Sequence, residues 1–206
     1  MKKELNSQYY DIHIRESISS YWENLYNKII NLLSFDTNIK IADLGCGDWL
    51  FAEFLYKKGY KNYWGIDFSK KRIEVAKKRV PSYQFEVGNL YDKNIQKKFL
   101  NYDVFISVET LEHLTNDLAV IEAITKGKEI IFSVPNQDDI AHVRFFESSK
   151  SVRQRYSLTI NFIKSQTIPG VGKKKFFFNT RYKIIIGKIV VSIFYRKKFK
   201  EVKNEP

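Results

Sequence analysis

The stretch Lys40-Ile41-Ala42-Asp43-Leu44-Gly45-Cys46-Gly47-Asp48 constrains this chain more than any other. It begins as a short apolar run ending in an acid, the pattern of a strand buried in a parallel sheet. It breaks into Gly-x-Gly and continues as Trp49-Leu50-Phe51-Ala52-Glu53-Phe54-Leu55, whose apolar spacing predicts a helix. Strand, glycine turn and helix together let a ligand approach the backbone of an open α/β sheet. Some way on, Tyr63-Trp64-Gly65-Ile66-Asp67 repeats the theme of an apolar strand tipped by an acid. An acid at that tip can accept hydrogen bonds from a ribose diol lying over the first turn.

The glycine spacing narrows the ligand. A dinucleotide fingerprint needs a third glycine at position 50, where Leu50 stands, and no Gly-Lys-Ser/Thr follows to cradle a triphosphate. Asp43-x-Gly45-x-Gly47 resembles motif I of the class I S-adenosylmethionine (SAM) methyltransferases. The family pattern often has a third glycine at the position of Trp49, so a large ring here stands beside the methionine end of the expected pocket. The resemblance implies a doubly wound, mostly parallel seven-stranded sheet whose last strand is antiparallel. It also implies SAM as cofactor, held by Asp43, Gly45, Cys46, Gly47, Asp67, Phe68, Asn89, Leu90, Val108 and Glu109. The bland alternative is a glycine-containing βα turn that binds no ligand.

Length and composition set outer bounds. A chain of 206 residues, 44% hydrophobic, makes one domain with a full core. The expected parts are an N-terminal cap segment and helix (1–34), a cofactor-binding core (39–136), and an acceptor side with a closing hairpin and basic tail (137–206). A single cysteine, Cys46, rules out an internal disulfide. With no apolar h-region after Met1-Lys2-Lys3, and Lys188 interrupting the longest apolar run, a soluble cytoplasmic protein is expected. Net charge is +12, and residues 173–206 hold eleven Lys or Arg against Glu201 and Glu205. Such a tail suits RNA or peripheral contact with an anionic membrane, or serves only to keep the chain soluble.

Along the chain, Ser17 is a possible N-cap for an amphipathic helix over Ile18–Leu33. Tyr9, Tyr10 and Arg15 precede it, and the resemblance suggests that such a segment closes the site. Ser69 caps a helix over Lys70–Arg79. A third strand, Tyr83–Val87, precedes Gly88-Asn89, where the resemblance offers the Asn89 carbonyl to an adenine amine. Strands over Tyr102–Val108 and Glu129–Val134 flank a helix starting near Asn116. A helix over Phe145–Tyr156, a strand over Leu158–Phe162 and a last strand over Ile184–Phe194 complete the pattern. The strand ends converge on Asp43, Asp67, Asn89, Glu109 and Pro135-Asn136, where an open α/β sheet binds its ligand.

The chemistry is expected after the fourth strand. Methyl transfer from a sulfonium mainly requires alignment of a nucleophile, and a hydroxyl or ammonium nucleophile must also lose a proton. Glu109, Glu112 and His113 fall at i, i+3 and i+4, which would put them on one face of a helical turn. His113, His142 and Glu112 are the candidate catalytic groups. Glu-x-x-Glu-His with an outlying histidine also resembles the motif of small-RNA 3′-terminal 2′-O-methyltransferases and of quinone-ring O-methyltransferases. That resemblance allows a divalent metal on Glu109, Glu112, His113 and His142, although a metal is not expected. Arg144 suits a carboxylate or phosphate on the substrate. The expected acceptor is a hydroxyl or amine of a small metabolite or a glycan or lipid precursor. The alternatives are an RNA acceptor tracked by the tail, and a silent methyltransferase-like binding module.

Overall fold

The computed structural model describes residues 2–169 and 181–189, with residues 166–169, 181–189 and Tyr21 described by their backbone alone. The basic-aromatic stretch 173–178, the C-terminal tail and the end of the expected last strand lie outside these residues. The described strands form one sheet in the order β3-β2-β1-β4-β5-β7-β6. They are β1 (Lys40–Leu44), β2 (Asn62–Asp67), β3 (Gln84–Val87), β4 (Val104–Val108), β5 (Glu129–Pro135), β6 (Ile160–Pro169) and β7 (Arg181–Ile189). The first five pair in parallel. β7 runs antiparallel to β5, from Glu129↔Lys188 to Pro135↔Tyr182, and β6 runs antiparallel to β7.

The helices are α1 (Ser7–Asp11), α2 (Ser20–Ile30), α3 (Leu50–Lys57), α4 (Lys70–Arg79), α5 (Lys93–Lys98), α6 (Asp117–Glu122) and α7 (Ser149–Tyr156). They divide the core between the two sheet faces. Leu25, Ile29, Phe51 and Leu55 join Ile41 and Ile106 on one side. Val120, Ile121, Val152 and Tyr156 join Ala42, Phe105 and Phe132 on the other. Alternation within β1 (Ile41, Ala42) and β4 (Phe105, Ile106) follows from the two-residue period of a strand.

Local signals account for most boundaries. Ser69 caps α4 as expected, its hydroxyl accepting the Arg72 N–H. Ser19, not Ser17, occupies the N-cap position of α2, and its side chain makes no capping bond there. The expected helix over Phe145–Tyr156 begins only at Ser149, because Ser148 and Ser151 form a reciprocal capping box. The last strand starts three residues before the expected Ile184. No helix among the described residues is long and apolar enough to cross a membrane.

Candidate active site

The carboxyl ends of β1, β2, β3, β4 and β5 open into a cavity of about 480 Å³, roofed by residues of the N-terminal segment. The glycine turn forms one end. Gly45 and Gly47 have φ of +79° and +65°, conformations that L side chains rarely adopt. A Cβ on Gly45 would also stand within 2.9 Å of the Thr110 Cβ. Both Gly45 and Cys46 donate their N–H to the Ile66 carbonyl, stitching the turn to β2. The Cys46 side chain is buried against Gly65, where an added Cβ would lie 2.8 Å from Sγ. Burial pushes the thiol well up, so a nucleophilic role is not served.

Two acids meet at this end. Asp67 accepts the Gly47 N–H at 3.0 Å and the Ser69 N–H at 2.8 Å. Burial raises its carboxyl against those bonds. Asp43 accepts the Tyr63 hydroxyl at 2.7 Å through Oδ2, while its buried Oδ1 has no hydrogen-bond partner. Burial lifts this carboxyl to about 7, and the Asp67 charge adds to the rise. An orphaned carboxylate oxygen, a second buried acid and bare glycine backbone fit the ammonium, hydroxyl and sulfonium groups of SAM. Two guanidiniums stand nearby: Arg15 Nη2 and Arg72 Nη1 lie 3.6 and 3.9 Å from where a Gly47 Cβ would be.

Phe68, Asn89, Leu90, Val108 and Glu109 line the cavity. The Asn89 Oδ1 already accepts the Tyr91 N–H at 2.9 Å, leaving it one further lone pair for a ligand amine. Trp49 is not among the lining residues. Its buried ring turns toward the N-terminal segment, donating Nε1–H to the Arg15 carbonyl at 3.2 Å beneath the Arg79 guanidinium. The methionine end is therefore not blocked by it.

The other end is built by the residues after β4 and β5. Glu109 has φ +53°, so the chain turns sharply at the tip of β4 instead of entering a helical turn. Its carboxyl, raised to about 8 by burial, accepts the Ser133 hydroxyl at 2.6 Å. Leu111–His113 then form a single 3₁₀ turn that separates Glu112 and His113 from Glu109. Glu112 is fully buried, and neither carboxylate oxygen has a hydrogen-bond partner. Burial holds it well above the usual carboxylate range, with the Glu109 charge adding to the rise. His113 Nδ1 lies 2.9 Å from the Ala141 carbonyl and 3.1 Å from the Tyr10 hydroxyl. Burial lowers this imidazole to about 4, so it is neutral. His142 Nδ1 lies 3.0 Å from the Gln137 carbonyl, and the two rings meet edge to face at 4.9 Å. One donor atom from each of Glu112, His113 and His142 lies within 4.8 Å of the others. Of the four residues on which the resemblance allows a metal, three come together, while Glu109 is held by Ser133.

Arg144 does not reach for substrate. Its Nη1 donates to the Leu111 and Leu114 carbonyls and pairs with buried Asp117 at 3.2 Å, and its Nη2 donates to the Thr115 carbonyl at 2.8 Å. It is a staple for the loop after β4. The roof brings in residues that the sequence did not flag. Glu4 accepts from the Tyr91 hydroxyl and from the Thr115 backbone and hydroxyl, and Lys2 pairs with Asp138 at 2.5 Å. Arg72 donates to the Tyr10 and His13 carbonyls at 3.0 and 2.9 Å. Each of these pairs spans more than 58 positions in sequence, so no local pattern marks them.

Comparison with known proteins agrees with this architecture. A family model described as a methyltransferase domain matches residues 41–126. A carboxy-S-adenosyl-L-methionine synthase of Campylobacter jejuni is 32% identical over 110 residues, covering 51% of this chain and 46% of that protein. A ubiquinone biosynthesis O-methyltransferase of Pelagibacter ubique is 35% identical over 82 residues, covering 39% of this chain and 33% of that protein. The chain thus matches less than half the length of these relatives. The N-methyltransferase NodS of Bradyrhizobium japonicum, solved with S-adenosyl-L-homocysteine, superposes with a TM-score of 0.63 at 13% identity, over 83% of this chain and 88% of that one, a likeness of fold. The family-model match spans the glycine turn, Asp43, Asp67 and the residues after β4, so residues 41–126 are similar to a methyltransferase domain, and the fold is like that of solved methyltransferases.

Proposed function

We propose that the protein transfers the methyl group of SAM to a hydroxyl oxygen of a small-molecule acceptor. The observation that carries this reading is the polarity of one cavity. Its glycine end offers Asp43, Asp67 and bare backbone, while its other end gathers Glu112, His113 and His142. Bound SAM supplies an electrophilic methyl on a sulfonium, so the chain need only align and deprotonate the acceptor. Asp43 Oδ1 and Asp67 would hold the cofactor's polar groups, and Thr110 packs behind Gly45 to keep the turn closed on it. An acceptor hydroxyl at the far end meets the His113 and His142 imidazoles and the buried Glu112 carboxyl, groups able to take up or polarise its proton. The similarity to ubiquinone biosynthesis O-methyltransferases supports oxygen over nitrogen. A volume of about 480 Å³ is ordinary for small ligands.

The test is incubation with methyl-labelled SAM and a panel of phenols, diols, aliphatic alcohols, amines and a short RNA. Label is expected on the oxygen of a small molecule. Label only on amine nitrogen or RNA, or bound SAM that is never consumed, overturns the reading. The similarity to carboxy-SAM synthases favours one second outcome, cofactor that gains a carboxyl group, which mass spectrometry of the same mixtures detects.

A further inference from the structure

We infer that Tyr10 is a positioning residue for His113: it joins the segment that roofs the cofactor end to the imidazole at the acceptor end, so that the ring is fixed when cofactor holds the roof down. The role of His113 toward an acceptor rests on the proposed methyl transfer; the link between roof and ring does not.

Tyr10 touches both ends of the cavity. Its base is fixed by the residues after β2. Arg72 Nε donates to the Tyr10 carbonyl at 3.0 Å, and the guanidinium lies over the Tyr10 ring, 5.3 Å from its centroid. The Phe68 and Tyr10 rings meet at 5.2 Å. One residue further along α1, Asp11 accepts the Ser69 hydroxyl. Phe68 and Ser69 directly follow Asp67, the acid placed at the cofactor end, and Asp67 accepts the Ser69 N–H at 2.8 Å. A ligand that steadies Asp67 therefore steadies the seat of α1.

The tip of Tyr10 reaches the other end. Its hydroxyl lies 3.1 Å from His113 Nδ1, and the two rings meet edge to face at 5.6 Å. The same nitrogen lies 2.9 Å from the Ala141 carbonyl. A carbonyl oxygen only accepts, so Nδ1 carries the hydrogen and shares it between the two oxygens. Nε2 then keeps its lone pair, the atom with which this ring can take a proton. Ala141 alone sets that tautomer. What Tyr10 adds is a second attachment, which limits pivoting of the ring about the first. Burial pushes the Tyr10 phenol up, so it stays protonated and uses only its oxygen lone pair toward His113. Among the described residues, no other hydrogen bond joins the N-terminal segment to Glu112, His113 or His142. Cofactor that favours the lowered segment thus favours the ordered ring, and by linkage the ordered ring favours cofactor.

Tyr10→Phe separates this role from packing, because it keeps the contacts of the ring with Phe68 and Arg72 and removes only the hydroxyl. The experiment uses the full-length protein with ¹⁵N in its histidines, of which the chain has three, and His113→Gln assigns the signal by its loss. S-adenosyl-L-homocysteine is the probe, since it cannot react. In the wild type it should slow exchange of the His113 Nδ1 hydrogen with water by about tenfold or more, as ordering of a local structure does. In Tyr10→Phe that response should vanish, while calorimetry shows the probe bound within about tenfold of the wild-type affinity, the worth of one neutral hydrogen bond. With SAM and a methylatable hydroxyl, kcat of Tyr10→Phe should fall roughly tenfold to a hundredfold, the cost of misplacing a reacting group, with the KM for SAM changing far less. A His113 response to the probe that persists in Tyr10→Phe, or an unchanged kcat, overturns the inference. An intact response that Tyr10→Phe abolishes, in a protein that methylates no hydroxyl, refutes the proposed function and leaves the link standing.

Discussion

The carboxylate of Asp67 at the tip of β2 accepts the backbone N–H of Gly47 across the crevice at 3.0 Å. The residue expected to grip the cofactor is therefore also what shapes the glycine turn. Hydrogen bonds to a charged acceptor are worth roughly 1.5–3 kcal/mol each. Asp67→Ala should lose SAM binding by calorimetry and also lower the unfolding midpoint. Asp67→Asn, which keeps one accepting oxygen, should retain most of the stability while binding SAM more weakly. Unchanged SAM affinity in both variants would remove Asp67 from the cofactor site.

Asp43 gives the protein a pH signature. Its carboxyl is raised from 3.8 to about 7 in the folded chain, so between those values the native state holds more protons than the unfolded state. The stability from this group is fully present below about pH 4 and is lost as pH rises through 7. Urea midpoints of the wild type should therefore fall between pH 5 and pH 8, and Asp43→Asn should flatten that fall. An identical slope in the variant would show that other groups set it.

Arg15 guards a buried charge. Its backbone N–H and side chain both reach Asp48, at 3.0 and 3.4 Å, and Asp48 is only 1% exposed at its side chain. Removing one partner of a buried pair costs roughly 3–5 kcal/mol. The Arg15 backbone and Trp49 amides still serve Asp48, so Arg15→Ala should fall at the lower end, about 3 kcal/mol, in denaturant unfolding. A loss below about 1 kcal/mol would mean that water replaces the guanidinium.

The fork of Arg144 reaches backbone carbonyls and Asp117, a geometry that one ammonium cannot reproduce. Arg144→Lys should destabilise the fold by about 2 kcal/mol, in line with lost hydrogen bonds involving charged groups. Its main kinetic effect should be thermal inactivation at lower temperature, with the KM of an anionic acceptor scarcely altered. A selective rise in that KM at full stability would restore the substrate-binding role that the sequence suggests for it.

What was legible in the sequence was what short-range patterns encode. The runs ending in Asp43 and Asp67 mark β1 and β2, and Ser69 marks the start of α4, because strand burial and capping act over a few residues. The doubly wound sheet with an antiparallel β7 followed from the same patterns together with the resemblance they carry. Helices α1 and α5 went unread, being short and lacking an apolar stripe of any length. Glu112, His113 and His142 were legible as residue types. Their separation from Glu109 was not, since spacing of three and four residues implies one face only where the backbone is α-helical. The Glu4–Tyr91 and Gly45–Thr110 contacts arise only when the chain closes on itself.

Gly65 has a role beyond its own strand. Because a side chain there would collide with Cys46, the chain's one thiol packs over β2 beneath the glycine turn, at the wall of the cavity. An alkylating reagent reaches this buried thiol slowly, through the cavity or by local opening of the turn, so the rate of covalent labelling reports access to that space. Saturating cofactor, by bridging the two strand tips, turns that thiol into a built-in clock that runs slower.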